Sequence, residues 1–207
     1  MDSLSALAAF SAPTRDWFTG AFAAPTPAQQ GTWEAVAGGR HALVVAPTGS
    51  GKTLAAFLWA IDSLVREPPP DDPAARCRVL YVSPLKALTA DVERNLRSPL
   101  VGIGQAAARA GVPMPEIEVQ ARTGDTPPTL RRAFATRPPD ILVTTPESLY
   151  LVLTSQARAG LAGVRTVIVD EIHAVAGTKR GAHLALSLER LDALLTGPAS
   201  PGPAQRV

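Results

Sequence analysis

Residues 46–53 of this sequence read APTGSGKT, a spacing of glycine, lysine and threonine that is typical of phosphate-binding loops. Gly49 and Gly51 permit the tight turn that directs successive backbone N–H groups at phosphate oxygens, and the helix that begins near Lys52 presents the positive end of its dipole. The ammonium of Lys52 is predicted to reach the β- and γ-phosphates, and the hydroxyl of Thr53 to bind magnesium. The segment therefore predicts a nucleoside triphosphate site that works with Mg²⁺.

This loop departs from the usual pattern at its first position, which is Ala46 rather than glycine. The change costs little because Ala46 ends a predicted strand. Thr48 and Ser50 complete the residues predicted to contact the nucleotide. The alternative is a glycine-rich turn that contains a lysine by chance, but a preceding strand and a following helix supply the context that the motif requires.

A second chemical motif follows the apolar run VRTVIV, where Asp170 and Glu171 are adjacent. In open α/β sheets, ligands bind at the edge formed by the carboxyl ends of the strands. Asp170 suits a magnesium contact, direct or through water, and Glu171 suits orienting and deprotonating an attacking water. His173 is predicted to couple the nucleotide state to neighbouring segments. The alternative is a solvated pair of acids beside a structural histidine.

Upstream of the loop, Phe22 and the segment PTPAQ at 25–29 precede a helical pattern that contains Trp33. The amide of Gln29 carries both a donor and an acceptor, which recognition of the two-sided edge of adenine needs. The ring of Phe22 is predicted to cover the base. The alternative is a helix start, with Pro27 near its first position, beside a buried aromatic ring.

Short apolar runs alternate with helical patterns along the chain. Runs rich in valine, isoleucine and leucine without alternating polarity are typical of parallel strands buried on both faces. The predicted strands are residues 41–46, 78–83, 117–121, 141–145 and 164–170. The predicted helices are residues 52–65, 85–100, 129–136, 147–153 and 183–195. This order predicts an open α/β sheet covered by helices.

The composition limits the remaining classes of protein. A chain of 207 residues with 46% apolar content predicts a single domain with a short helical N-terminal extension, and a net charge of +2 is no polycation. The lone Cys77 excludes an internal disulfide framework and predicts a core position, and neither His41 nor His183 has ligand spacing with it, so no zinc is expected. No stretch predicts a signal peptide or a membrane span, which favours a cytoplasmic protein.

Seven segments resemble superfamily 2 helicases in their order and spacing: FAAPTPAQ, APTGSGKTLAAFLWAID, SPLKAL, RTGDT, TTPESL, DEIH and TKRGAHLALSLERL. Their spelling looks like the large helicase-related (Lhr) family of ATP-dependent DNA helicases associated with DNA repair. The resemblance implies a RecA-like parallel sheet with helices on both faces, using ATP and Mg²⁺ and the catalytic residues Lys52, Asp170 and Glu171. It also implies a nucleoid-associated location.

The resemblance divides the chain into an N-terminal extension with the adenine-recognition motif at 1–30 and a first RecA-like ATP-binding domain at 31–207. Lhr-type helicases continue into a strand, a Ser-Ala-Thr segment and a second motor domain. Arg206 and Val207 look like the start of that strand. The chain is therefore expected to be a piece of a longer protein, with the second motor domain as its partner.

By the same resemblance, three segments are predicted to hold single-stranded DNA, with RNA and RNA:DNA hybrids as alternatives. Each follows a predicted strand, so N–H groups, hydroxyls and a cation there can hold phosphates without reading bases. Their residues are Ser83, Pro84 and Lys86; Arg122, Thr123, Gly124 and Asp125; and Thr145, Pro146 and Glu147. The alternative is helix capping, with Pro84 and Pro146 at first helical positions.

Lys179 and Arg180 are predicted to form a solvated basic loop before the last helix, with a structural contact to the DEIH turn or a DNA contact as alternatives. Two rival functions remain open. The chain could bind nucleotide and nucleic acid without turnover, or it could be a small-molecule phosphoryl transferase. The second is disfavoured because no segment resembles an acceptor pocket or a lid.

Overall fold

The computed structural model describes residues 5–196 and 202–207, with only the backbone described for residues 5, 86–91 and 93. The chain divides into two compact units. The first combines residues up to Pro68 with Arg94–Glu116 and Val207, and the second combines Pro69–Glu93 with Ile117–Arg206. The domain boundary at residue 30 stays a prediction.

Strands and helices alternate from residue 79 onwards, as the apolar pattern predicts, whereas the described residues before position 79 contain three α-helices and no strand. The α-helices are α1 (Ala12–Ala21), α2 (Pro27–Ala37), α3 (Lys52–Arg66), α4 (Lys86–Arg109), α5 (Pro128–Ala133), α6 (Pro146–Leu153) and α7 (Lys179–Leu195). The strands are β1 (Val79–Val82), β2 (Val119–Arg122), β3 (Ile141–Thr144), β4 (Thr166–Val169) and β5 (Gln205–Arg206). None of the helices in the described part of the chain combines the length and hydropathy that a transmembrane span needs.

The second unit contains a five-stranded sheet in the order β2-β3-β1-β4-β5, and every pair in it is parallel. Val82 pairs with both Thr144 and Val169, and Arg122 pairs with Thr144, so β1 to β4 end at the same level. Cys77 lies fully buried in the core of this unit, as predicted. Burial raises the pKa of its thiol to about 12, so the thiol stays protonated and acts as an apolar core group.

The core of the first unit surrounds Trp33 on α2. Its ring meets those of Phe10 and Phe18 edge-on, with centroids 4.9 and 5.3 Å away. Its indole N–H donates to the carbonyl of Ala55 on α3 over 2.9 Å. The helix that follows the predicted adenine motif is thus fixed to the helix that follows the phosphate loop.

The strand predicted at 41–46 is absent. These residues form no regular element and pair with no strand in the described parts of the chain, and the side chains of Leu43 and Val45 are 80% and 87% exposed. An apolar run becomes a strand only where a neighbouring backbone completes its hydrogen bonds, and the run itself does not specify that neighbour.

Helix α4 extends past its predicted end at residue 100 to Arg109, through Pro99. The indole of Trp17 packs on Gly102 so closely that a Cβ at this position would lie 2.1 Å from Nε1. Both proline and glycine have low intrinsic helix propensity. Tertiary packing therefore decides the length of this helix, which local propensity does not predict.

Candidate nucleotide and nucleic-acid site

The phosphate loop lies in the first unit and leads into α3. Gly49 and Gly51 have φ of 83° and 80°, in the left-handed region that residues with a Cβ adopt at a cost. A Cβ on Gly51 would also lie 2.5 Å from the amide nitrogen of Gln29. Backbone geometry therefore favours glycine at both positions. At Gly51 a side chain would also meet the amide of Gln29.

Lys52 is the first residue of α3, and its ammonium is held within the loop. It donates to the carbonyls of Ala46 and Pro47, at 2.5 and 3.0 Å. The buried hydroxyl of Ser50 has no hydrogen-bond partner among the described residues. A buried hydroxyl without a partner is unfavourable, so a polar ligand in this loop would relieve it.

The adenine motif contacts the phosphate loop directly. The hydroxyl of Thr26 donates to the carbonyl of Ser50 over 2.8 Å and accepts from the backbone N–H of Gln29 at the start of α2. In return, Oε1 of Gln29 accepts from the N–H of Thr26 at 2.9 Å, and its Nε2 lies 3.5 Å from the carbonyl oxygen of Gly51. An amide has two donor hydrogens and two acceptor lone pairs, so each end of Gln29 retains one for a base.

Phe22 is 41% exposed and follows α1. Its ring lies 4.9 Å from that of Phe18 and 5.9 Å from that of Trp17. The ring thus packs against two aromatic neighbours and still leaves part of its apolar surface exposed. The ring is therefore available for stacking, and its role with adenine stays a prediction.

The second unit gathers four of the remaining five motifs at one edge of its sheet. SPLKAL follows β1, RTGDT begins at the end of β2, TTPESL begins at the end of β3, and DEIH follows β4. Because β1 to β4 are parallel and end at the same level, the segments lie side by side in the order RTGDT, TTPESL, SPLKAL, DEIH. The prediction that each projects from the carboxyl edge is confirmed.

Asp170 is held in place by three hydrogen bonds. Its backbone N–H donates to the carbonyl of Val82, and its Oδ1 accepts from the N–H of Glu171 at 2.9 Å. Its Oδ2 accepts from the hydroxyl of Tyr81 at 2.6 Å. Burial and this bond to Asp170 raise the pKa of Tyr81 well above its usual range, so the phenol remains a donor. Sequence reasoning missed Tyr81 because it lies within an apolar strand.

Glu171 adopts φ 50° and ψ 38°, and it is the only residue besides glycines with positive φ in the described parts of the chain. Such a conformation costs free energy in a residue with a Cβ and often occurs at functional sites. Its carboxylate lies 3.3 Å from Nδ1 of His173, whose side chain is 81% exposed. The turn thus presents a carboxylate and an imidazole together at the sheet edge.

The oxygen groups present suit a magnesium ion. Each carboxylate oxygen of Asp170 accepts one described hydrogen bond and retains a lone pair for a metal or its water. Mg²⁺ binds oxygen ligands and usually takes one or two from protein, with phosphates and water supplying the rest. No group of three or more histidine, cysteine or acidic side chains that could hold a metal occurs among the described residues. The donors fit a site completed by nucleotide phosphates.

Ser83 forms a local turn that delays the start of α4. Its hydroxyl accepts from the N–H of Leu85 at 3.3 Å, and the helix begins at Lys86. Pro84 therefore precedes the helix by two residues, and the prediction that it occupies the first helical position was wrong. The side chain of Lys86 lies outside the described part of the structure.

The RTGDT loop is closed by bonds within itself. The backbone N–H of Thr123 donates to the hydroxyl of Thr126 at 2.9 Å, and the N–H of Asp125 donates to the hydroxyl of Thr123. The guanidinium of Arg131 on α5 donates to the carbonyls of Thr126 and Gly124. Arg131 is a second cation at this loop that sequence reasoning missed, although its place in the next helix was a signal for it.

Arg122 is 8% exposed at the end of β2. Its guanidinium lies 5.2 Å from the ring centroid of Phe134, and its Nη1 has no hydrogen-bond partner among the described residues. Burial, with a smaller contribution from Arg131, lowers the pKa of Arg122. The side chain of Arg122 is therefore a buried cation and not an exposed one, and its Nη1 donor is unsatisfied.

Thr145 caps α6, since its hydroxyl accepts from the N–H of Ser148, and Pro146 is the first helical residue as predicted. The next residue, Glu147, forms a two-bond ion pair with Arg180. This bond lowers the pKa of Glu147. The residues used for phosphate contact in the prediction thus also form the helix cap.

Lys179 and Arg180 are the first two residues of α7, and the prediction of a basic loop there was wrong. Thr178 begins the helix by accepting from the N–H of Gly181 at 3.1 Å. An N-cap threonine before a run of good helix formers is a start signal, and it outweighs the glycines around it. The structural contact of Arg180 is with Glu147 rather than with the DEIH turn.

Comparisons with known proteins agree with the assignment of these motifs. A family model described as DEAD/DEAH box helicase matches residues 26–206. The chain is 66% identical over 193 residues to a Mycolicibacterium smegmatis protein named Lhr helicase/probable uracil glycosylase. The aligned region covers 93% of this chain and 13% of that protein. The chain is also 60% identical over 190 residues to the Escherichia coli Lhr helicase/uracil glycosylase. This aligned region covers 90% of the chain and 12% of that protein.

Solved structures agree with the fold. The structure of Mycobacterium smegmatis helicase Lhr bound to ssDNA and AMP-PNP matches with a TM-score of 0.88 and 63% identity, over 97% of this chain and 24% of that chain. Mss116p bound to ssRNA and AMP-PNP matches with a TM-score of 0.76 at 19% identity, over 99% of this chain and 39% of that chain, a likeness of fold alone. The predicted resemblance to Lhr and the RecA-like parallel sheet are both confirmed. Because the family model spans most of its length, the chain belongs to the DEAD/DEAH box helicase family.

Proposed function

We propose that this chain is the ATP-binding first motor domain of an Lhr-type DNA helicase that moves along single-stranded DNA and acts in DNA repair. The chain spans only 12–13% of the length of the two Lhr relatives, whose named activity is a property of those whole proteins. The observation that carries the proposal is the alignment of SPLKAL, RTGDT, TTPESL and DEIH along one sheet edge. The solved Lhr relative binds ssDNA and AMP-PNP.

In the proposed nucleotide site, the loop and the adenine motif hold ATP. Gln29 and Phe22 contact the base, and the backbone of residues 48–51 surrounds the phosphates with Lys52. The carbonyls that Lys52 now contacts would give way to phosphate oxygens. The positive charge of the Lys52 ammonium would then offset the negative charge of the phosphate oxygens.

Thr53 and Asp170 are proposed to hold Mg²⁺, which when bound would offset charge on the phosphates. Glu171 would orient the attacking water and take its proton. His173, beside Glu171, would sense the nucleotide state. Lys52, Asp170 and Glu171 are thus the proposed catalytic residues.

In the proposed nucleic-acid site, the three segments at the sheet edge contact the sugar–phosphate backbone. The backbone N–H groups of their turns and helix starts provide donors that need no base identity. Arg122 has an unsatisfied Nη1 that a phosphate near the loop would satisfy after a rotation of its side chain. Arg131, already bonded to the loop, would fix the loop shape.

Replacement of Lys52 by alanine tests the nucleotide site. We expect ATP affinity to fall on the order of 10- to 100-fold, because a hydrogen bond between charged groups contributes about 1.5–3 kcal/mol. Calorimetric titration with ATP and Mg²⁺ measures the effect, and circular dichroism checks the fold. Lys179→Ala is the matched control, since Lys179 is an exposed lysine at the first position of another helix. Equal affinities in Lys52→Ala and the unsubstituted chain would refute the assignment of this loop.

Binding of nucleic acid by this chain should be weak, independent of sequence and sensitive to salt. For single strands, log affinity falls with log salt at a slope of about −0.7 per neutralised phosphate, so the few cations here predict a slope of about −1 to −2. Arg122→Ala should lower affinity about equally for unrelated oligonucleotides and flatten this slope. Fluorescence anisotropy across a salt series measures both, with exposed Arg158→Ala as the control. A loss confined to one sequence would place the strand on another surface.

A further inference from the structure

Tyr81 is a fully buried residue of β1, and its hydroxyl reaches the proposed magnesium carboxylate. The phenol donates to Oδ2 of Asp170 over 2.6 Å, a short bond of the kind that forms between a hydroxyl and a charged acceptor. The strand register explains the contact. Tyr81 pairs with Ile168, and Asp170 lies two residues further along the chain, directly after the end of β4.

Three bonds fix the conformation of Asp170, and two of them come from β1. The backbone N–H of Asp170 is held by the carbonyl of Val82, and Oδ2 is held by the preceding residue, Tyr81. The third bond, from the N–H of Glu171, fixes the other carboxylate oxygen. The strand that supplies both bonds leads directly into Ser83 and the SPLKAL segment.

We infer that Tyr81 is a positioning residue, which holds the carboxylate of Asp170 in the orientation that binds magnesium and links it to the strand that ends at the SPLKAL segment. The inference rests on the proposed function, because it assumes that Asp170 meets the ion. Groups that hydrogen-bond to metal ligands set the orientation of those ligands, and their loss typically lowers metal affinity or activity by 10- to 100-fold.

Removal of the hydroxyl has two effects of opposite sign on magnesium. A carboxylate that loses a hydrogen-bond donor becomes more basic, which would tighten metal binding. A carboxylate that loses its fixed orientation must be ordered again when the ion binds, which weakens it. We expect the loss of orientation to prevail, because the fully buried phenylalanine ring offers no donor to replace the hydroxyl that holds Oδ2 of Asp170.

The experiment is Tyr81→Phe in the 207-residue chain, with ATP affinity measured by calorimetry over a range of Mg²⁺ concentrations. Phenylalanine keeps the buried ring, and the thermal midpoint checks that the core is intact. The concentration of Mg²⁺ that gives half of its full effect on ATP affinity should rise roughly tenfold. ATP affinity in EDTA should be unchanged. A variant whose fold had been disturbed would instead bind ATP more weakly in EDTA as well.

Two further variants separate the possible results. Tyr150→Phe makes the same chemical change at the other tyrosine, on α6, and should leave the Mg²⁺ dependence as it was. Asp170→Asn, which leaves Thr53 and the phosphates as ligands, should raise the half-effect concentration at least as much as Tyr81→Phe does, and adding Tyr81→Phe to it should cause no further rise.

Each outcome decides a specific claim. An unchanged or lower half-effect concentration in Tyr81→Phe, together with a raised one in Asp170→Asn, would overturn the role of Tyr81 and leave the proposed function standing. An unchanged half-effect concentration in Asp170→Asn, or no Mg²⁺-dependent ATP binding by the unsubstituted chain, would refute the proposed nucleotide site and this inference with it.

Discussion

Glu171→Gln, in a protein that extends through the second motor domain, should keep ATP binding and lose turnover by a factor on the order of 10² to 10⁴, the usual contribution of a general base. Glutamine is similar in shape, so it fits the same turn, but its amide cannot accept the proton of the attacking water. The strained backbone at Glu171 and the nearby His173 show that this side chain is held at a defined place on the sheet edge. Steady-state hydrolysis with saturating single-stranded DNA measures the rate, and calorimetry measures ATP binding.

The matched control for this variant is Glu34→Gln, which makes the same change at an exposed position on α2. It should leave both turnover and binding unaltered. Turnover by Glu171→Gln within a few-fold of the unsubstituted protein would assign the base to another residue. A parallel loss of ATP affinity would mean instead that the turn after β4 had been disturbed.

The sequence predicted those parts of the site whose chemistry depends on local order. The glycines of the phosphate loop, the position of Lys52 at a helix start and the acidic pair after β4 follow from backbone rules that act over a few residues. The parallel arrangement of the strands explains why the common location of the four motifs was also predictable. Once the four motifs are assigned to strand ends, a parallel sheet must bring them to one edge.

Other parts depend on contacts between residues far apart in the sequence, which no local pattern specifies. The hydroxyl of Tyr81 meets Asp170 only through the pairing of β1 with β4. Arg122 reads as an exposed cation in the sequence, yet its side chain lies against Phe134 from the segment after α5. The absence of a strand at residues 41–46 is likewise a property of the fold, because an apolar run becomes a strand only where a neighbouring backbone pairs with it.

Helix boundaries were predictable where a cap determines them and not where packing does. Thr145 and Pro146 begin α6 at the position that their types favour. The end of α4 depends instead on the contact between Trp17 and Gly102, two residues that no helix rule connects. The same distinction explains why Lys179 and Arg180 were misjudged, since their helix is started by Thr178 within a glycine-rich stretch.

The largest expected effect concerns the chain by itself. The 207-residue chain should hydrolyse ATP on the order of 10³ to 10⁵ times more slowly than a protein that continues through the second motor domain, even with single-stranded DNA present. The resemblance to superfamily 2 helicases implies that arginines of that second domain offset the charge that develops on the transferred phosphoryl group, and such an arginine contributes a rate factor of about this size. ATP should still bind to the shorter chain, because the loop, Lys52 and the adenine motif contact one another within it. Hydrolysis and ATP binding are compared for the two proteins under the same conditions, with Lys52→Ala in each as the background for contaminating activity. Equal turnover numbers would show that the residues of this chain suffice for the chemistry, and that the second domain serves movement along the strand rather than hydrolysis.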